Sequence, residues 1–218
     1  SYSTKTSSVP LPWNEKNSWN DVNGDGEGDI PNISGNTAVK ITLNADVKST
    51  ADLTFNNSGS EQIDLYLKGH TLDIDMPECM FVVEHAQYHT GKFGNIHIHG
   101  SGKVIARSLD TSSNDPSETK TVTPHGIYLY DGTEFYVKDS LYPNGSYVII
   151  QDVTGDSKFY LTASGANVNY GGNGIVYEGI QVEPYGEPTI YKVDDKGGDP
   201  YDGVKTIQLV TTRKEIDN

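Results

Sequence analysis

The sequence predicts an all-β chain coiled as a parallel β-helix, and three observations predict it. Short apolar alternations of period two follow one another from Val39 onward, almost all bounded by Gly, Asn or Asp. That is the pattern of half-buried strands between turns. Helical spacing is not sustained over about 12 residues anywhere, and the one helix candidate is a turn or two around Glu84–Tyr88. The strand groups beginning at Ile41, Ile63, Ile96, Ile127, Val148 and Ile175 are separated by 22, 33, 31, 21 and 27 residues. Steps in the range of roughly 20–50 residues mark stacked repeats, the longer ones carrying loop insertions.

In chain order, residues 1–36 hold both tryptophans, three prolines and many Asn, Asp and Gly, with almost no periodic apolar pattern. They are expected to form an irregular cap or linker, docked on the body through Trp13 and Trp19. Residues 37–218 are expected to form the β-helix itself. Its strands begin with Val39, Ile41 and Leu43, then Leu53 and Phe55, Ile63 to Leu67, and Leu72 and Ile74. They continue with Ile96 and Ile98, Val104 and Ala106, Ile127 and Leu129, and Phe135 and Val137. Further strands are expected at 148–150, 159–161, 175–177, 180–182, 190–193 and 207–210. The polar stretch 109–123 is long enough to interrupt a coil, and insertions of this kind gather on one side of a repeat stack. The ending VTTRKEIDN turns charged after Val210 and reads as a closing cap or a linker to another module.

Composition bounds the partners. Of 218 residues 34% are hydrophobic and 10% aromatic, with fourteen Tyr and 23 Gly. The aromatic content is too high for a disordered chain. The net charge of −14 repels phosphate backbones and anionic lipid, so nucleic-acid and membrane-surface roles are not expected. No run approaches the roughly 20 apolar residues of a membrane span. Cys79 is the single cysteine; it cannot form an internal disulfide and reads as a buried, inert thiol. The opening SYSTKTSSVP looks like a mature or trimmed end.

Two segments read alike: IDLYLKGHTLDI (63–74) and GNIHIHGSGKVIA (94–106), with GIYLYDGTEFYVKDS (126–140) as a third copy. Each has an alternating strand, a Gly corner and a second strand. A β-sandwich, the alternative fold, would account for the strands but not for this recurrence. The segments resemble the corner signature of right-handed parallel β-helix proteins of the pectate-lyase-like superfamily. The resemblance covers about residues 39–182 and marks coil corners, not a site. It implies a bacterial secreted or cell-surface setting and either a polysaccharide-active enzyme or an adhesin-like binding module.

Four constellations could carry chemistry. Asp21, Asn23, Asp25, Glu27 and Asp29 fall at positions one, three, five, seven and nine of a calcium-type loop, with Gly26 at the turn position six. Position twelve is Asn32 instead of Glu, so the loop resembles the DxNxDGxxD repeats of secreted proteins more than a sensor. The competing account is a solvated acidic turn. His97 and His99 share one strand face, while His85 and His89, four apart, and His70, one coil away, could converge on a transition metal; surface histidines stacked between coils are the plainer account. Lys68, Lys103 and Arg107 lie near Asp73 and Asp75, the residue types a polysaccharide lyase uses for base and charge neutralisation. Alternating acids on a strand, however, are ordinarily its solvated side, and no catalytic residue is assigned. Tyr128, Tyr130 and Tyr136 are expected on one flat face as a substrate-binding platform, with ladder packing between strands as the competing account.

The sequence therefore points to an extracellular β-helix module that binds a glycan or a protein partner, with a structural calcium in its N-terminal loop, within a longer multi-domain protein. A polysaccharide lyase or glycoside hydrolase of the same fold is the enzyme alternative, and a passive stalk the third.

Overall fold

A computed structural model of the protein describes residues 1–33, 38–56, 62–75, 80–84, 95–110, 125–142, 148–161, 175–178, 181–184, 190–195 and 205–210. Among them the chain is almost entirely strand; the helical content is one 3-10 turn at Lys16–Ser18. The strands form two sheets whose neighbours are parallel nearly throughout.

The first sheet contains β1 (Tyr2–Ser3), β3 (Val39–Thr42), β6 (Ile63–Tyr66), β9 (Asn95–His99), β11 (His125–Tyr130), β13 (Val148–Asp152) and β15 (Ile175–Glu178), side by side in that order. It ends in the antiparallel pair β17 (Ile190–Asp195) and β18 (Lys205–Val210). The second contains β2 (Leu11–Pro12), β4 (Val47–Lys48), β7 (Thr71–Ile74), β10 (Lys103–Asp110), β12 (Glu134–Tyr142), β14 (Lys158–Leu161) and β16 (Gln181–Pro184). Beside this row, β5 (Leu53–Asn56) pairs with β8 (Met80–Glu84), which pairs with the far half of β10. From β1 to β16, β5 and β8 apart, successive strands therefore alternate between the sheets, and each pairs in parallel with the preceding strand of its own sheet.

Register turns the sequence alternation into buried columns. In the first sheet Val39, Ile63, Ile96 and Ile127 are successive Cα partners, as are Ile41, Leu65, Ile98 and Leu129, and all are buried. In the second, Val47, Leu72, Val104, Phe135 and Phe159 do the same. Phe55, Phe81, Phe135 and Phe159 form a chain of rings with centroids 4.8, 5.1 and 5.8 Å apart. Burying each such side chain stabilises the fold by about 1.5–3 kcal/mol.

The corners between sheets are built from residues with positive φ. Lys68 (52°) and Gly69 (81°) make one, Asp131 (57°) and Gly132 (80°) another, closed by His70 N–H to Leu67 O (2.9 Å) and Thr133 N–H to Tyr130 O (3.3 Å). Two consecutive positive φ values suit type I′ geometry, which Gly makes cheap at one of the two positions. The corners also stack. Lys103 N–H bonds His70 O at 3.1 Å, Glu134 N–H bonds Gly102 O at 3.1 Å, and Lys158 N–H bonds Thr133 O at 2.9 Å. Gly102 has no room for a side chain, because a Cβ there would lie 2.1 Å from His70 O.

The first 33 residues place β1 and β2 against the two sheets, and their tryptophans dock as the sequence suggested. Trp13 and Trp19 are buried with rings edge to face at 5.0 Å, and Trp19 Nε1–H donates to Trp13 O at 2.7 Å. Residues 85–88 of the helix candidate, together with Cys79, His85 and His89, lie outside the described residues, and Glu84 ends β8. Leu109 belongs to β10, which runs on to Asp110, so the polar stretch does not begin there; 111–123 lies outside the described residues.

Candidate functional site

The acidic loop follows the tryptophan pair directly. Asp21 folds the loop around itself: Oδ1 accepts Gly24 N–H (2.8 Å) and Oδ2 accepts Gly26 N–H (2.7 Å). Asn23 Oδ1 accepts Asp25 N–H (3.1 Å), Asp25 Oδ1 accepts Glu27 N–H (2.9 Å), and Asp29 Oδ2 accepts Val22 N–H (2.7 Å). Gly24 and Gly26 have φ of 81° and 90°, which makes such close turns possible. One carboxylate oxygen each from Asp21, Asp25 and Asp29 lie within 4.8 Å of one another. These amide bonds, Gly26 foremost, hold the Asp21 carboxyl below its ordinary value although the side chain is exposed. Hard oxygens gathered at this distance fit a calcium ion. Glu27 does not join them. Its carboxylate pairs with Lys16 Nζ at 2.9 Å, a bond that raises the lysine's pKa. Gly28 anchors the loop to the cap, with no room for a Cβ between Lys16 O and Trp19 O.

The outer face of the first sheet carries a ladder of rings. His97 and Tyr128 stack at 4.7 Å and 9°. Tyr66, His99 and Tyr130 stack at 4.5 Å and 4.3 Å, so both faces of the His99 ring are covered. The columns are tied together by His97 Nδ1 and Tyr130 OH at 2.6 Å. At the base His99 Nε2 meets Asp64 Oδ1 at 2.8 Å, and Gln62 Nε2–H donates to the same oxygen at 2.7 Å. Asp64 is only 8% exposed, a placement the alternation of its strand does not announce. Burial first, then the charges of Asp64 and Tyr66, push the Tyr130 phenol up. Rings that stack on their neighbours spend their faces on the ladder and turn polar edges outward.

One expectation is corrected here. Tyr136 does not share a face with Tyr128 and Tyr130: the positive-φ corner at Asp131–Gly132 carries the chain to β12 in the second sheet. There its hydroxyl donates to Glu134 Oε2 at 3.2 Å. Among the described histidines, His70 is not gathered with His97 and His99. Its Nδ1 lies 3.5 Å from Asp46 Oδ1, away from the ladder partners of His97 and His99, and among the described residues the only metal-capable group of His, Cys, Asp and Glu is the acidic loop.

Of the residues considered for catalysis, the structure joins Asp75 and Arg107 and adds Lys138, which sequence reasoning missed. Arg107 Nε–H donates to Asp75 Oδ1 (3.0 Å) and Lys138 Nζ to Oδ2 (2.6 Å). Burial alone would raise the Asp75 carboxyl, but Lys138 and then Arg107 outweigh it and hold the group below its ordinary value. Asp73 Oδ1 accepts Asp75 N–H at 2.9 Å. Lys103 Nζ stands 3.9 Å from Glu134, and Lys68 belongs to the corner. Three residues spaced over 63 positions meet only because β7, β10 and β12 are neighbours, a fact that needs register and not motif.

Comparison with protein-family models, curated proteins and solved structures returns no match to the chain. Among the described residues no helix is long and apolar enough to cross a membrane.

Proposed function

We propose that the chain is a right-handed parallel β-helix module of a bacterial secreted or cell-surface protein, related to the pectate-lyase-like superfamily, and that it binds a glycan or a protein partner. The strict parallel register between two alternating sheets and the stacked corners support the fold reading. The observation that carries the binding reading is the ladder of half-exposed rings at Tyr66, His97, His99, Tyr128 and Tyr130, with polar edges in line beside Asp64. Such a row offers hydrogen-bonding groups at the spacing of successive strands.

The loop at Asp21, Asn23, Asp25 and Asp29 holds a structural calcium, with three carboxylates as its charged ligands and Glu27 outside the set. Its chemistry would be mechanical: the ion draws the acidic loop tight against the Trp13–Trp19 cap.

The test is a glycan-array and surface-protein binding screen of the intact chain against Tyr128→Ala and His97→Ala. Loss of wild-type binding in both variants is expected. Binding that survives both, or no binding at all, overturns the reading, the latter in favour of a passive spacer. A second reading, polysaccharide lyase, is favoured by Asp75 lying between Arg107 and Lys138; an ultraviolet-absorbing unsaturated product from acidic polysaccharides would replace the binding reading with it.

A further inference from the structure

The chain carries three Asn–Gly steps, at Asn23, Asn144 and Asn173, and the first lies among the described residues. An asparagine can close a five-membered ring onto the backbone nitrogen that follows it, because Cγ, Cβ, Cα, the carbonyl carbon and that nitrogen are bonded in succession. A side chain on the following residue obstructs the closure; glycine, with no Cβ and free choice of φ, does not. At Gly24 φ is 81°, and nothing lies within 4 Å of the place a Cβ would take. Both residues of the step are exposed.

The loop also holds the groups that react. Asn23 Oδ1 accepts Asp25 N–H at 3.1 Å, which folds the carboxamide forward over the Gly24 peptide and polarises its carbonyl toward a nucleophile. The Gly24 N–H, which must give up its proton, donates to Asp21 Oδ1 at 2.8 Å. Gly26 N–H fixes the other oxygen of that carboxylate at 2.7 Å. These amide bonds, Gly26 foremost, lower the Asp21 pKa and keep it an ionised acceptor at neutral pH. Nucleophile, electrophile and proton acceptor are thus fixed within one turn of the chain. Such an arrangement lowers the barrier by replacing a chance encounter with a step already oriented.

We propose that Asn23–Gly24 is a self-modifying site, at which the Gly24 nitrogen attacks Cγ of Asn23 and the residue converts to aspartate or isoaspartate. The bond from Gly24 N to Cγ forms, the Cγ–Nδ2 bond breaks, and the Gly24 amide proton passes by way of Asp21 to the side-chain nitrogen, which leaves as ammonia. Water then opens the succinimide ring. Attack at Cγ gives aspartate, and attack at the backbone carbonyl gives isoaspartate. No oxidant, cofactor or second protein enters. Isoaspartate routes the main chain through Cβ and lengthens it by one carbon, so Gly24 and Gly26 lose the register in which they bind Asp21. The loop then loosens beside the Trp13–Trp19 cap. The covalent step needs only these residues and water, and is independent of the binding and calcium readings.

The experiment incubates the intact chain at neutral pH, folded or in guanidinium chloride, and follows the tryptic peptide 17–40 by mass. A gain of about 1 Da, amide to acid, placed at Asn23 by fragmentation, is expected. Isoaspartate is read by methyl transfer from S-adenosylmethionine with an isoaspartyl methyltransferase. The folded chain converts at least as fast as the denatured one. Asp21→Asn slows the folded chain about fivefold, the rate equivalent of one ordinary hydrogen bond, and leaves the denatured rate unchanged. Glu27→Gln removes the same charge from a carboxylate bonded to Lys16 and alters neither rate. Gly24→Ala slows both, because the added Cβ crowds the attack. Melting temperatures taken alongside show that each variant is folded at the incubation temperature, and the comparison of folded with denatured wild type needs no variant. No conversion at Asn23, slower conversion in the folded than in the denatured chain, a folded rate untouched by Asp21→Asn, or equal slowing by Asp21→Asn and Glu27→Gln overturns the proposal.

Discussion

Gly102→Ala should destabilise the chain more than Gly69→Ala, although both glycines stand in corner segments that look alike in sequence. At Gly102 the added methyl meets His70 O at 2.1 Å and Leu67 Cβ at 2.8 Å. Both neighbours belong to the corner of the preceding round, so relief requires the two corners to part by roughly 1 Å, the shortfall from ordinary van der Waals contact. Parting them lengthens the Lys103 N–H to His70 O bond and strains Glu134 N–H to Gly102 O, both 3.1 Å. Overpacking costs about 1–3 kcal/mol, and a weakened buried hydrogen bond adds about 1 kcal/mol, giving about 2–4 kcal/mol. At Gly69 nothing lies within 4 Å of the added methyl, and only the φ of 81° is penalised, by about 1–2 kcal/mol. For a chain of this size each kcal/mol lowers the melting temperature by about 2–4 °C. Thermal melts followed by far-ultraviolet circular dichroism should therefore show Gly102→Ala lower by roughly 4–16 °C, and Gly69→Ala by half of that or less. Equal shifts, or a larger loss at Gly69, would refute the stacking of corners from which the difference is derived.

Calcium should raise the melting temperature of the wild type, and Asp21→Asn or Asp25→Asn should abolish the increment while Glu27→Gln keeps it, because Glu27 pairs with Lys16; an increment lost in Glu27→Gln contradicts this geometry. Asp75 has a folded-state pKa below its unfolded value, so its stabilisation is present above the unfolded value of about 3.9. It is lost as pH falls through the folded value, and the stability gap between wild type and Asp75→Asn, expected at about 1 kcal/mol near pH 6, should close on acidification; denaturant melts at a series of pH values read it. Tyr130→Phe removes the hydroxyl from His97 Nδ1 but keeps the ring stack, for a cost of about 1 kcal/mol. His99→Ala removes the ring between Tyr66 and Tyr130 and strips Asp64 of a partner, and should cost about 2–4 kcal/mol by the same denaturant melts.

The strand content and the corners were legible because both rest on local rules. Period-two alternation at Ile63–Leu67 or Ile96–Ile98 reports burial directly, and a Gly beside Lys68 or Asp131 reports a turn. Trp13 and Trp19 were legible as a docking pair because two large rings in a polar segment have few other uses. What stayed hidden depends on register. Lys138 and Asp75 lie 63 residues apart, and nothing in either segment announces the other. Tyr136 was misplaced because a run of tyrosines at 128, 130 and 136 looks like one face, whereas a two-residue corner moves the third to another sheet. Asp64 was hidden for a related reason. In its own strand it occupies a solvent-side position, and in the fold it is nearly buried, with His99 and Gln62 bonded to its carboxylate.

The same register logic explains why the two outer faces differ. In parallel pairing each side chain stands beside its counterpart one strand away, so like groups stack in columns and their effects accumulate along the sheet. On the first sheet this places flat rings over one another, and the column is stabilised by contact between its own members. On the second it would place cations over cations, which is costly unless acids intervene. Glu134 stands between Lys103 and Lys158 as the Cα partner of both, and Asp75 stands between Arg107 and Lys138. In each case one carboxylate stands against two cations, and the pairing of Asp75 with Arg107 and Lys138 falls beside the bulge, where the backbone departs from regular pairing.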